Sequence, residues 1–118
     1  MKIKIPIHCF IAGQIVLSVI TTLYTYRSTL NGYMFGDPFD ARLQMVLHEH
    51  WYRVFTFQTT LRDTEFFYPY EYGLGFSDVF LVQGFIHSIL RFFGFSMQNS
   101  WIATNLFLVI LGNLGWIA

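Results

Sequence analysis

The chain has 118 residues, of which 54% are hydrophobic, 20% aromatic and only 12% charged. Ordinary soluble domains carry about 25% charged residues, and a chain this short cannot hide so much apolar surface in its own interior, so a self-contained soluble domain and a disordered chain are both argued against. Seven basic residues balance seven acidic ones and there is one cysteine, Cys9, which argues against a nucleic-acid binder and rules out a disulfide framework.

What remains is an all-α integral membrane protein, and the placement of the charges predicts its elements. From Ile5 to Tyr26 no residue is charged, a run long enough for the roughly 20 apolar residues that cross a bilayer. A secretory signal is the rival, since Lys2 and Lys4 precede the run. The apolar stretch exceeds a signal's h-region of about 7–15 residues and no small-x-small cleavage site follows, so a retained helix is expected over 1–26.

The next segment, 27–76, is polar and holds Asp37, Asp40, Glu49, Asp63, Glu65 and Glu71 together with Arg27, Arg42, Arg53 and Arg62. A connection of this length between spans usually carries function. Lys2 and Lys4 before the first span, and Arg91 near the far end of the chain, put the N-terminus and the 94–100 turn in the cytoplasm by the positive-inside rule, with 27–76 extracytoplasmic.

Within that loop Leu43, Val46, Leu47, His50, Trp51, Val54 and Phe55 recur with a period of 3.6, which predicts an amphipathic helix over about 38–57 lying on the bilayer surface. Its start, Gly36-Asp37-Pro38-Phe39-Asp40, supports two readings. Asp37 suits an N-cap, Pro38 the first helical position and Asp40 a capping box. Two carboxylates three residues apart also suit a general base or the oxygen ligands of a divalent cation. A cap would fix the carboxylate geometry that catalysis needs, so the two are compatible. His48-Glu49-His50 lacks the i, i+4 histidine spacing of a metalloprotease helix, and its imidazoles point about 200° apart, so no metal site is assigned.

Residues 63–76 are crowded with aromatics and include Pro69, Gly73 and Gly75. They read as an ordered aromatic loop anchored at the membrane interface rather than a regular helix. Glu71 and Asp78 lie so near the hydrocarbon that they should face a polar cavity or a partner, although Ser77-Asp78 also serves as an N-cap. A second span is expected at 77–95. Gln83, His87 and Arg91 make a polar stripe on one of its faces, read as interhelical hydrogen bonding with Arg91 reaching the cytoplasmic headgroups; His8 and Gln14 of the first span read the same way. Gly94 to Ser100 has turn and N-cap chemistry, and a third span is expected over 96–118, running to the last residue. The chain therefore reads as the N-terminal piece of a longer polytopic protein.

Taken in order, a basic tail, a span, a loop opening with Gly36-Asp37-Pro38-Phe39-Asp40, an amphipathic helix carrying His50-Trp51, then Phe67-Tyr68-Pro69 and Gly75-Phe76-Ser77-Asp78 resemble the N-terminal part of GT-C-class polytopic membrane glycosyltransferases and their uncharacterised bacterial relatives. The resemblance covers essentially the whole chain. It implies transfer of a sugar from a polyprenyl-phosphate donor to an acceptor on the outer face of a bacterial plasma membrane. Asp37 would then be the general base and Asp40 its support, with Arg42, Glu49, Arg53, Tyr68, Glu71 and Asp78 as substrate-binding candidates. Arg42 and Arg53 are the nearest choices for the donor phosphate. Members of that class have many more spans, so further transmembrane helices would be needed to close the site. The rival readings are a small non-catalytic membrane subunit and a transporter or channel fragment lined by Asp78, Gln83, His87 and Arg91.

Overall fold

The structure, a computed structural model, describes residues 6–33, 37–64 and 79–115. Every regular element among them is helical: α1 (Ile7–Thr25), α2 (Arg27–Leu30), α3 (Pro38–Phe55), α4 (Leu81–Phe92) and α5 (Met97–Gly115). α3 packs chiefly on α4, α4 on α5, and α5 on α1. The molecule is elongated, about 70 × 28 × 26 Å.

α1 buries the opposite residues from a helix in a water-soluble core. Its buried positions are Ser18 and Thr22, whereas Phe10, Ile11, Ile15, Val16, Leu17 and Ile20 are exposed. Small polar residues at a helix seam and large apolar ones outside are the arrangement that hydrocarbon favours. The seam is closed by the Asn113 amide, 3.3 Å from the Thr22 hydroxyl.

The expected three membrane spans are not found. α1 is the one helix among the described residues that is long and apolar enough to cross a bilayer. α4 has 12 residues, a rise of about 18 Å against a hydrocarbon thickness of about 30 Å. It is short because Phe80, which precedes it, takes a left-handed conformation (φ 46°) and because Gly94 ends it. Gly94 has φ +89°, and the Gly94 and Phe95 amides turn back onto the Arg91 and Leu90 carbonyls, a helix stop that suits glycine. α5 is longer, with 19 residues, but carries Gln98, Asn99, Asn105 and Asn113.

The 94–100 turn is also displaced from its expected side. The Gln98 amide donates to the Gly32 carbonyl at 3.3 Å, so the turn sits at the C-terminal end of α1, opposite the N-terminus. Arg91, counted as a cytoplasmic charge in the sequence, is paired with Glu49.

α3 begins as expected. Asp37 Oδ1 accepts from the Phe39 amide at 2.8 Å and Pro38 opens the helix. The face expected to lie on the bilayer is largely covered by α4 instead, with Leu47 and Trp51 buried and Val46 and Phe55 left at its exposed edges. Trp51 fixes the α3–α4 crossing. Its indole N–H donates to the Val79 carbonyl at 2.6 Å, its ring stacks on Phe55, and its face lies directly on Gly84. A Cβ at position 84 would come within 2.7 Å of the Trp51 Cβ and closer still to the ring. The ring's inner atoms cannot swing away, so Gly84→Ala is expected to destabilise the helix pair by about 2 kcal/mol, the range of core overpacking. Denaturant unfolding followed by circular dichroism checks this; an unchanged midpoint would mean that the crossing is looser than described.

Candidate functional site

The densest polar constellation lies where α3 crosses α4. Glu49 faces α4 and is bound from two sides. His87 Nε2 is 3.0 Å from Glu49 Oε2. Arg91 grips both carboxylate oxygens, Nη2 to Oε1 at 2.9 Å and Nε to Oε2 at 3.0 Å. The remaining Arg91 nitrogen, Nη1, donates to the Phe95 carbonyl at 2.7 Å just beyond the end of α4. The guanidinium also lies 4.9 Å from the Tyr52 ring centroid, within cation–π range. Bidentate pairing of this kind is among the stronger polar contacts available to a protein.

The electrostatics follow from this geometry. Burial would raise the Glu49 carboxyl, but the hydrogen bonds from His87 and Arg91, with the charges those groups carry, outweigh it and hold Glu49 below the ordinary carboxylate range. An ionised Glu49 accepts a hydrogen bond from His87 Nε2–H, and His87 Nδ1 has no partner among the described residues. His48, one residue before Glu49, is 1% exposed and its ring lies 5.6 Å from that of His87. Neither His48 nitrogen has a hydrogen-bond partner among the described residues. Burial first, and the nearby His87 second, lower its pKa to about 4, so the ring is neutral near pH 7. His50 points elsewhere, edge-on to Trp51, and no group of three or more His, Cys, Asp and Glu among the described residues could hold a metal ion.

Two cavities adjoin the crossing. One is an apolar groove of about 600 Å³ bordered by Tyr52, Phe55, Phe85, Ile89, Phe92 and Phe93. The other, about 280 Å³, lies among α3, α4 and α5 and is lined by Gln44, His48, Phe80, Gln83, Asn105, Leu108 and Val109.

The residues expected to form one site are not brought together. Asp37 and Asp40 are exposed at the start of α3, and Glu49 lies about 18 Å further along the axis than Asp37, at 1.5 Å per residue. Arg42 is exposed near the carboxylate pair, whereas half-buried Arg53 is in the last turn, about 24 Å along the axis from Asp37. A phosphate held near Asp37 is therefore within reach of Arg42 and not of Arg53. Glu49 is engaged by α4 instead of presenting a free carboxylate to a substrate. Tyr68, Glu71 and Asp78 lie outside the described residues.

Of the Gln83, His87 and Arg91 stripe, His87 and Arg91 hydrogen-bond across to Glu49 on α3, and Arg91 ends on Glu49 and Phe95 rather than reaching toward headgroups. His48 was missed as a site residue. Its signal in the sequence was a histidine beside the apolar stripe of α3, which becomes informative only once Gln83 and Asn105 are known to face it. No family model matches the chain, and comparison with curated proteins and with solved structures finds no match.

Proposed function

We propose that the chain is the N-terminal portion of a membrane glycosyltransferase that moves a sugar from a polyprenyl-phosphate donor to an acceptor hydroxyl on the extracytoplasmic face. The observation that carries this reading is the start of α3. Asp37 spends one carboxylate oxygen on the helix cap, which holds the group still, and the exposed side chain keeps a second oxygen for a substrate proton. In the transfer, Asp37 takes the acceptor O–H proton as the acceptor oxygen bonds to the sugar's anomeric carbon. The bond from that carbon to the phosphate breaks, and polyprenyl phosphate leaves with the electron pair. Asp40 lies one turn on and supports the pair's negative charge. Arg42 is the cation for the leaving phosphate. A divalent cation, if used, would take the same two carboxylates as ligands.

The membrane half of the reading is supported by the inverted burial of α1 and by the apolar groove between α3 and α4, whose lining suits an isoprenoid chain. On this reading α1 anchors the chain in a plasma membrane, and further helices of the same or another polypeptide cover the exposed faces of α1 and α4.

Asparagine caps a helix as well as aspartate does but cannot take a proton. Asp37→Asn should therefore leave the fold intact while lowering sugar transfer by roughly a hundredfold or more. The assay uses the full-length polypeptide in vesicles with a labelled polyprenyl-phosphate sugar, at matched amounts of folded protein. Equal transfer by both proteins would return Asp37 to capping alone.

A second reading, a non-catalytic membrane subunit, is favoured by the apolar surface of α4, where Val82, Phe85 and Phe92 are exposed. It requires that no transfer occur with either protein.

A further inference from the structure

The smaller cavity among α3, α4 and α5, part polar and part apolar in its lining, is not used by the reaction proposed above. Gln44 contributes from α3, Gln83 from α4 and Asn105 from α5, and His48 forms part of the wall. Both ring nitrogens of His48 are closed to solvent, so its contribution to the wall is the body of the ring rather than a hydrogen-bonding atom. The Asn105 amide nitrogen donates to the Trp101 carbonyl at 2.8 Å, which leaves its carbonyl oxygen for the cavity. The carboxamides at this cavity need hydrogen-bond partners, since leaving such a group buried and unpaired costs about 1–3 kcal/mol, so the cavity suits an occupant that hydrogen-bonds.

The lining indicates what that is. Among the described residues, no side chain lining the cavity is charged. Glu49 and Arg91 of the neighbouring crossing are committed to each other, and His48 is neutral near pH 7. A phosphate, carboxylate or ammonium would enter without a counter-charge, at a heavy desolvation cost. The three carboxamides offer both donors and acceptors. They come from three helices and so approach from different sides, which a hydroxyl meets by rotating and the flat edge of a nucleobase does not. Phe80, Leu108 and Val109 supply an apolar wall for a C–H face. A volume of about 280 Å³ lies at the small end of ligand sites, the scale of one sugar ring.

We infer that the cavity bounded by Gln44, His48, Gln83 and Asn105 is a binding site for a neutral, hydroxyl-rich ligand the size of a single sugar ring, separate from the Asp37 carboxylate. His48 lies about 16 Å further along the axis of α3 than Asp37, so the bound ring is not the one undergoing transfer. It is held as a recognition element.

The test is calorimetric titration of the full-length protein in nanodiscs with D-glucose, D-galactose and D-mannose, with D-glucuronate, D-glucosamine and uracil as contrasts. At least one neutral sugar should bind saturably with a dissociation constant of about 1–10 mM, the weak range of a half-open site with few hydrogen bonds. Gln83→Leu and Gln44→Leu, both half-buried and tolerant of an apolar side chain, should each weaken it at least tenfold while retaining the helical circular dichroism. Absence of saturable binding by all three sugars overturns the inference. So does equal binding of the charged analogues or of uracil, or unchanged binding in both variants. The readout is binding without transfer, so the two proposals fail separately. Binding without transfer leaves this site standing and removes the glycosyltransferase; transfer without binding does the reverse.

Discussion

Glu49→Ala is expected to destabilise the α3–α4 pair by about 3 kcal/mol. Removing one member of a buried, hydrogen-bonded ion pair costs about 3–5 kcal/mol, because the charge left behind is desolvated and unmatched. Here Arg91 is a quarter exposed, so water recovers part of the loss, which places the figure at the low end. His87 is completely buried and recovers nothing. Glu49→Gln keeps the shape and one acceptor and should fall between alanine and wild type. Urea or thermal unfolding of the reconstituted protein measures the series, and a loss below about 1 kcal/mol would class the network with ordinary surface pairs. A double-mutant cycle with Arg91→Met should give a coupling energy of the same order, since the two groups share both short contacts.

Acid should unfold the protein in two separable steps, the first governed by His48. Its pKa is lowered from 6.5 to about 4 in the folded state by burial and by His87. Between those values the unfolded chain takes up a proton that the native chain refuses, so stability falls as pH falls. The full window amounts to about 3 kcal/mol at 1.36 kcal/mol per pH unit. Glu49 acts with the same sign but lower on the scale. Its depressed carboxyl contributes stability above the ordinary carboxylate value, and this is lost only as pH drops through the folded value. His48→Leu, which replaces an unpaired buried ring with an apolar side chain of similar bulk, should flatten the curve between pH 6.5 and 4 and leave the steeper loss below it. The check is stability measured at intervals from pH 7 to 3. A wild-type curve already flat between 6.5 and 4 would mean that His48 protonates freely in the native state.

How much of this was legible in the sequence depended on how local each signal was. The uncharged run ending at Tyr26 and the Asp37-Pro38 start are statements about neighbouring residues, and α1 and α3 appear where they were expected. The Gly94 stop was visible for the same reason. The break before α4 was not, because Phe80 is an ordinary aromatic whose left-handed backbone has no local signature; the apolar stretch around it therefore passed for part of a span. Glu49 falls off the apolar stripe of α3 and was expected to bind substrate. Its partners lie 38 and 42 residues away, a pairing that periodicity cannot express. The smaller cavity was hidden for the same reason, since its lining is assembled from three helices. Asp37 and Asp40 are near neighbours in the sequence, whereas the distance of about 24 Å that separates Arg53 from Asp37 along α3 follows only from the helix rise.

The way Trp51 is held has a practical consequence in optics. Two of the chain's three tryptophans, Trp51 and Trp101, are buried, and the third, Trp116, lies outside the described residues. Trp51 is fixed against Gly84, stacked on Phe55 and hydrogen-bonded to the Val79 carbonyl, with an edge-on imidazole from His50 beside it. An indole so constrained in an asymmetric aromatic setting gives a strong near-ultraviolet dichroic band and a blue-shifted emission. The Trp51 share of both is lost when α3 and α4 part, even if each remains helical, while buried Trp101 on α5 supplies the reference. The molecule thus carries an intrinsic gauge of its helix crossing, able to distinguish separation of the pair from melting of the helices without an added label.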